Sequence, residues 1–230
     1  GVIHEGAVST ALGLKGIPSV AESMQLQRDL DILEYANGKL HIPTLSTEAS
    51  VALIKTAKKI NQDVSCSVAI HNLFFTDEAL QGFNANAKLL PPLRKKSDQK
   101  ALKKALLDGV IDMVTSDHQP LNSELKTVEL DQAHFGSIGL EHSFGCLLSM
   151  FSIEQTIEIL TRGKNRFGIA EHTIEVGATA DITLFTPSGS FEITKASISS
   201  GSKNSLFIGH ALPGKVYGVI AQGKSQVYNA

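Results

Sequence analysis

The stretch IDMVTSDHQPLN, residues 111–122, carries an apolar, β-branched run (Ile111, Met113, Val114, Thr115) that stops at Asp117-His118, just before a proline. A strand that ends in an acid and a histidine is how many α/β enzymes set a catalytic carboxylate at the mouth of a barrel. The alternative for Asp117 is structural: a strand-end acid that caps the loop after it. The choice between them depends on what the other elements bring alongside.

Those elements alternate. Residues 18–36 place Val20, Met24, Leu26, Leu30, Leu33 and Tyr35 at helical spacing, opened by Pro18 and closed by Asn37-Gly38. KLHIPTLST (39–47) is a short strand running into a loop, and the next helix has Ser46 or Thr47 as its cap. DVSCSVAIHNL (63–73) reads as a strand, and the paired prolines 91 and 92 keep the stretch after it irregular. Residues 96–109 form an amphipathic helix with Ser97 as cap and Gly109 as stop, and VIDMVTSD is a third strand. Strands separated by helices imply a parallel sheet or barrel. EHSFGCLLSM reads as helical, and SIEQTIEILTRG as a helix capped by Ser152. From about residue 174 the texture changes to short strands, with alternation over 215–220 and a Gly223-Lys224 turn.

Composition bounds the rest. A chain of 230 residues can bury a sizeable core in one large domain or one and a half. A net charge of −2 carries no electrostatic signature of a nucleic-acid or membrane partner. The basic stretch Arg94-Lys95-Lys96 with Lys100, Lys103 and Lys104 reads as a solvated helix face. Cys66 and Cys146 lie in apolar runs without zinc or disulfide spacing, as buried reduced thiols of a cytoplasmic protein do. No apolar run approaches the roughly 18 residues that span a bilayer. The opening residues lack the basic and apolar regions of a secretory signal. The chain starts without a methionine and without a strand before its first helix, as the middle of a domain would.

Seven segments, in order, resemble the dihydroorotases of the amidohydrolase superfamily, of the type found in bacteria and in multifunctional pyrimidine-pathway complexes. They are IHEGAVSTALGLKGIP (3–18), KLHIPTLST (39–47), AIHNLFFTDEAL (69–80), ANAKLLPPLR (85–94), SDHQPL (116–121), AHFGSIGLE (133–141) and SKNSLFIGHALPGKV (202–216). The resemblance implies an α/β chain forming the C-terminal part of a (β/α)8 TIM-like barrel, with KLHIP, DVSCSVAI and VIDMVTS as strands six to eight. Residues 1–173 are then a barrel segment whose N-terminal strands are absent, and 174–230 the C-terminal share of a small β-sandwich. The missing N-terminal half of the protein is an implied partner, because half a barrel leaves strand edges and core exposed.

In that family one or two zinc ions, held by histidines and a bridging carboxylate, lower the pKa of bound water to about 7. An aspartate at the end of strand eight binds metal and shuttles the proton, and Asp117 matches it. Phe135 and Gly136 match a pair whose backbone contacts substrate. Other positions depart from the pattern. Thr44 stands where the family has a metal-binding histidine, and a hydroxyl is a poor zinc ligand. Leu90 and Leu121 replace a substrate-holding asparagine and histidine. His41, three residues before Thr44, reads as a core or structural histidine, and His71, followed by Asn72, as a hydrogen-bonded loop residue.

Two readings follow from the resemblance. In the first, the chain is a dihydroorotase-family protein of pyrimidine biosynthesis that has lost catalysis. Asp117 is then a remnant with no zinc bound, and the role is structural, in a homo-oligomer or beside aspartate carbamoyltransferase. In the second, it belongs to an active zinc-dependent dihydroorotase or related hydrolase of cyclic amides, with Asp117 as metal ligand and catalytic acid–base.

Overall fold

A computed structural model of the chain describes residues 1–170 and 173–228. They divide into two compact units, one of Gly1–Glu141 with Ile198–Leu206, the other of His142–Ser197 with Phe207–Ala230.

The first unit is built on a parallel sheet in the order β3 (Leu40–Ile42), β4 (Val64–Ala69), β5 (Met113–Thr115). Leu40 pairs with Val64 and Ser67 with Met113. All six residues of β4 are buried, as befits a central parallel strand covered on both faces. Between the strands run α3 (Glu48–Lys59) and α5 (Lys96–Leu107). Ile54 and Ala57 of α3, and Leu102, Ala105 and Leu106 of α5, join Cys66 and Val68 in the core. Thr47 caps α3 by accepting the N–H of Ser50 at 3.2 Å, and Pro18 precedes α2 (Ser19–Ala36). That helix ends at Asn37 in the left-handed conformation.

Several local expectations need correction. Of the apolar positions of α2, Leu26, Leu30 and Leu33 are buried, whereas Val20, Met24 and Tyr35 are exposed. Spacings of four and three place the three leucines on one face. The strand expected over 63–73 stops at Ala69, and α4 (Ile70–Phe74) takes His71 and Asn72 into a helical turn. Ser97 does not cap α5; Lys95 is the N-cap residue and makes no side-chain cap bond. A strand does precede the first helix: β1 (Ile3–His4) pairs in parallel with β2 (Gly16–Ile17) around α1 (Ala7–Leu12). Two residues are too few for any alternation to register in sequence.

The second unit holds α6 (Ser143–Leu148), α7 (Ile153–Thr161) and an antiparallel sheet. Ser152 and Gln155 close a reciprocal capping box at the start of α7. The sheet runs β6 (Ile182–Glu192), β7 (Ala211–Ala221), β8 (Lys224–Val227). β6 and β7 have eleven residues each, longer than the short strands expected, with register shifts at Leu184/Phe185 and Thr186/Ser190. Residues 174–181 are not strand. The β7–β8 turn is Gln222-Gly223, one residue earlier than expected; φ of 53° and 71° give the two positive values of a two-residue hairpin turn. No described helix is long and apolar enough to cross a membrane.

Candidate functional site

Because β3, β4 and β5 are parallel, their C-terminal ends emerge along one edge of the sheet. After β3, Thr44 is half-buried with φ of 52°, and its N–H donates to Ser67 Oγ at 3.3 Å. After β4, His71 is fully buried, its Nε2 lying 3.4 Å from the carbonyl oxygen of Ile138, and Asn72 donates to the Pro92 carbonyl at 3.1 Å. After β5, Asp117 sits at φ of 42°. Its N–H donates to Thr115 Oγ1 at 3.2 Å, and its carboxylate accepts from Gln119 Nε2 at 3.0 Å. Burial pushes the Asp117 carboxyl above the ordinary range, and the Gln119 bond pulls it back. Next to it, His118 Nδ1 accepts the Leu140 N–H at 3.3 Å.

A parallel bridge between His118 and Ser137 brings the 135–139 segment to this edge. Gly139 is obligatory there: a Cβ would lie 2.3 Å from the Ser116 carbonyl oxygen and 2.8 Å from His71 Cε1. Gly136, at φ of 129°, donates its N–H to the Lys88 carbonyl at 2.9 Å. Phe135 lies under the Lys88 ammonium, 4.8 Å from ring centroid to Nζ. Asn204, buried, joins the segments that carry Leu121 and Gly136. Its Oδ1 accepts the Leu121 N–H at 3.1 Å, and its Nδ2 donates to the carbonyls of Gln119 at 2.9 Å and Gly136 at 3.4 Å. The fold therefore sets Thr44, His71 and Asp117 just after the C-terminal ends of three adjacent parallel strands, and ties Leu121 to Gly136 through Asn204. Leu90 is 54% exposed. His41 Nδ1 lies 2.8 Å from Ser65 Oγ on the adjacent strand β4.

Behind the end of β3 lies a buried polar network that sequence reasoning missed. Arg94 is 3% exposed, so the reading of residues 94–96 as part of a solvated face fails at its first residue. Its Nε donates to Ser46 Oγ at 3.0 Å, and its Nη1 to His4 Nδ1 at 3.0 Å and the Ile17 carbonyl at 2.8 Å. Glu22 lies 3.9 Å from Arg94 Nη2 and accepts the N–H groups of Ser46 at 3.0 Å and Thr47 at 3.1 Å, together with both of their hydroxyls. The loop that carries Thr44 is thus pinned from α2 by a carboxylate and from the 85–94 segment by a guanidinium. Burial, then the Arg94 charge, holds the His4 imidazole below its ordinary value. Burial raises the Asp77 carboxyl, with His4 acting to lower it. Asn204 and this network have no local sequence signal, since their partners lie up to 90 positions away.

Zinc takes four ligands in structural sites and three plus water in catalytic ones. Among the described residues no three His, Cys, Asp or Glu side chains come together to hold an ion. Asp117 offers one carboxylate, already bonded to Gln119. The residues present do not by themselves fit the metal.

Residues 3–225 match the model of the amidohydrolase family. A dihydroorotase from Citrifermentans bemidjiense is 36% identical over 236 residues, covering 100% of this chain and 55% of that protein. One from Pelotomaculum thermopropionicum is 38% identical over 231 residues, 97% of this chain and 54% of that one. Among solved structures, the L-hydantoinase (dihydropyrimidinase) from Arthrobacter aurescens superposes with a TM-score of 0.83 at 26% identity, over 90% of this chain and 49% of that one. The chain spans about half the length of the curated relatives it matches. With the amidohydrolase model matched almost end to end and dihydroorotases aligned over the whole sequence, the chain belongs to the amidohydrolase family and is dihydroorotase-like.

Proposed function

We propose that the protein is a catalytically degenerate dihydroorotase-like amidohydrolase with a structural or assembly role in pyrimidine biosynthesis, working in the cytoplasm without a resident zinc ion. In this reading β3, β4 and β5 are strands six to eight of a (β/α)8 barrel, residues 1–173 its barrel segment and 174–230 its share of a β-sandwich. The N-terminal half of the protein completes the barrel, and a further copy or aspartate carbamoyltransferase is the partner.

The observation that carries it is the state of the strand ends, where side chains suited to a metal are engaged by the protein's own groups. Asp117 accepts from Gln119, His71 lies against the Ile138 carbonyl, and Thr44 stands after β3. Leu90 and Leu121 offer no hydrogen bond to a polar ring, and each polar group left unpaired against them costs roughly 1–3 kcal/mol.

One observation favours the active zinc-dependent hydrolase: burial raises the Asp117 carboxyl above its ordinary value, which makes it a better proton acceptor. Metal content and dihydroorotate turnover of the full-length protein separate the two. The degenerate reading expects zinc well below one equivalent and no turnover above background. One or two equivalents of zinc, with turnover abolished in Asp117→Ala, would sink it.

A further inference from the structure

The segment that leads to Phe135-Gly136 folds over two buried lysines. Lys88, 2% exposed, donates from its ammonium to the carbonyls of Leu130 at 2.9 Å and Asp131 at 3.0 Å. Lys126, 8% exposed, donates to the carbonyl of His134 at 2.8 Å, and the His134 N–H returns to the Leu125 carbonyl at 3.0 Å. Backbone carbonyls hold both ammonium groups. An ammonium taken from water without a counter-charge is costly, and carbonyl dipoles offset only part of that cost.

We propose that residues 121–136 form a pH-sensitive strap, held closed by the Lys126–His134 bond when the amine is neutral and loosened when the amine is charged. Burial, and after it the repulsion of Lys88, pushes Lys126 down to about 8 from an ordinary value of 10.5. Burial also lowers Lys88, with Asp131 acting the other way. Glu124, Glu129, Asp131 and His134, the other titratable groups of the strap, are exposed. A neutral amine still donates to the His134 carbonyl, so raising the pH removes the burial penalty and keeps the bond. The strap ends at Gly136, whose N–H rests on the Lys88 carbonyl, so opening frees the Phe135-Gly136 backbone. The device is independent of whether Asp117 is catalytic.

The sign follows from linkage. An opened strap lets Lys126 return to its ordinary value, so it binds more protons than the closed one between pH 8 and 10.5, and closure strengthens as pH rises through that window. Amide hydrogen exchange of the full-length protein, followed by mass spectrometry and corrected for intrinsic rates, should show protection over 121–135 rising about tenfold from pH 7 to 9. Peptides from β4 report any change in global stability. Lys126→Met and Lys126→Arg should both be flat across this range, the arginine variant poorly protected throughout. Lys88→Met, which removes the repulsion, should move the wild-type transition to higher pH. Flat protection in the wild type, a pH response surviving in Lys126→Met, or an unmoved transition in Lys88→Met would overturn the proposal.

Discussion

The Arg94 guanidinium donates to His4 Nδ1 at 3.0 Å between residues 90 positions apart in the chain, which fixes that imidazole nitrogen as an acceptor. Since a guanidinium is always protonated, the fold prefers the neutral ring. The folded value of His4 is held below 6.5, so its contribution to stability is complete above pH 6.5 and is lost as pH falls through the folded value. Urea unfolding midpoints should therefore decline below pH 6.5, and His4→Gln, which keeps an acceptor and cannot protonate, should decline less. Asp77 and Asp117 act with the opposite sign. Their raised carboxyls favour the fold at low pH and lose that contribution as pH rises through their folded values.

Removing the buried Arg94 guanidinium leaves the half-buried Glu22 without its nearby cation and strips a bond each from Ser46, His4 and the Ile17 carbonyl. Arg94→Met should cost about 3–5 kcal/mol, measured by denaturant unfolding of the full-length protein. Arg94→Lys should recover little, because a single ammonium cannot reach Ser46, His4 and the Ile17 carbonyl together. A loss below 1 kcal/mol in both variants would show that the network does not pin the loop after β3.

Gly139 is the tightest point of the strand-end edge. Gly139→Ala places a methyl against the Ser116 carbonyl and the His71 ring, and one of the two must move. A destabilisation of roughly 1–3 kcal/mol is expected in thermal unfolding. Gly109→Ala meets no atom within 4 Å, so it reports only the strain of a φ of 72° and is the matched control.

The two cysteines should be chemically silent in the native protein. Burial, and after it the Asp112 carboxylate, pushes the Cys66 thiol up to about 12, and Cys146 is also fully buried. Thiol labelling at pH 8, read on the peptides that carry Cys66 and Cys146, should find neither modified until denaturant is added, and both afterwards. A fast-reacting native thiol would contradict the buried positions.

Several features were legible because they are local. The cap at Thr47, the capping box at Ser152, the stop at Asn37 and the alternation of three strands with helices all follow from hydrogen bonds or apolar periodicity within a few residues. Ser97 misleads for the same reason: a good capping residue stands one position past the actual start of α5, which is set by the extended backbone at Lys95. The strand expected over 63–73 runs too far because AIHNL continues the apolar run, whereas β4 ends where its pairing with β5 ends, at Ala69.

By itself the sequence determined the family, the alternation of strands and helices, and the placement of Asp117 after a strand, since each rests on residue order and short-range spacing. Only the tertiary structure decided which polar groups are buried and with whom. Arg94 looked like the start of a solvated run and is buried against His4, Ser46 and Glu22. Lys88 and Lys126, about which the linear pattern says nothing, are buried with their ammonium groups on backbone carbonyls of residues 130–134. The physical reason is that desolvation and partner choice depend on three-dimensional neighbours, which a linear pattern of residue types does not encode.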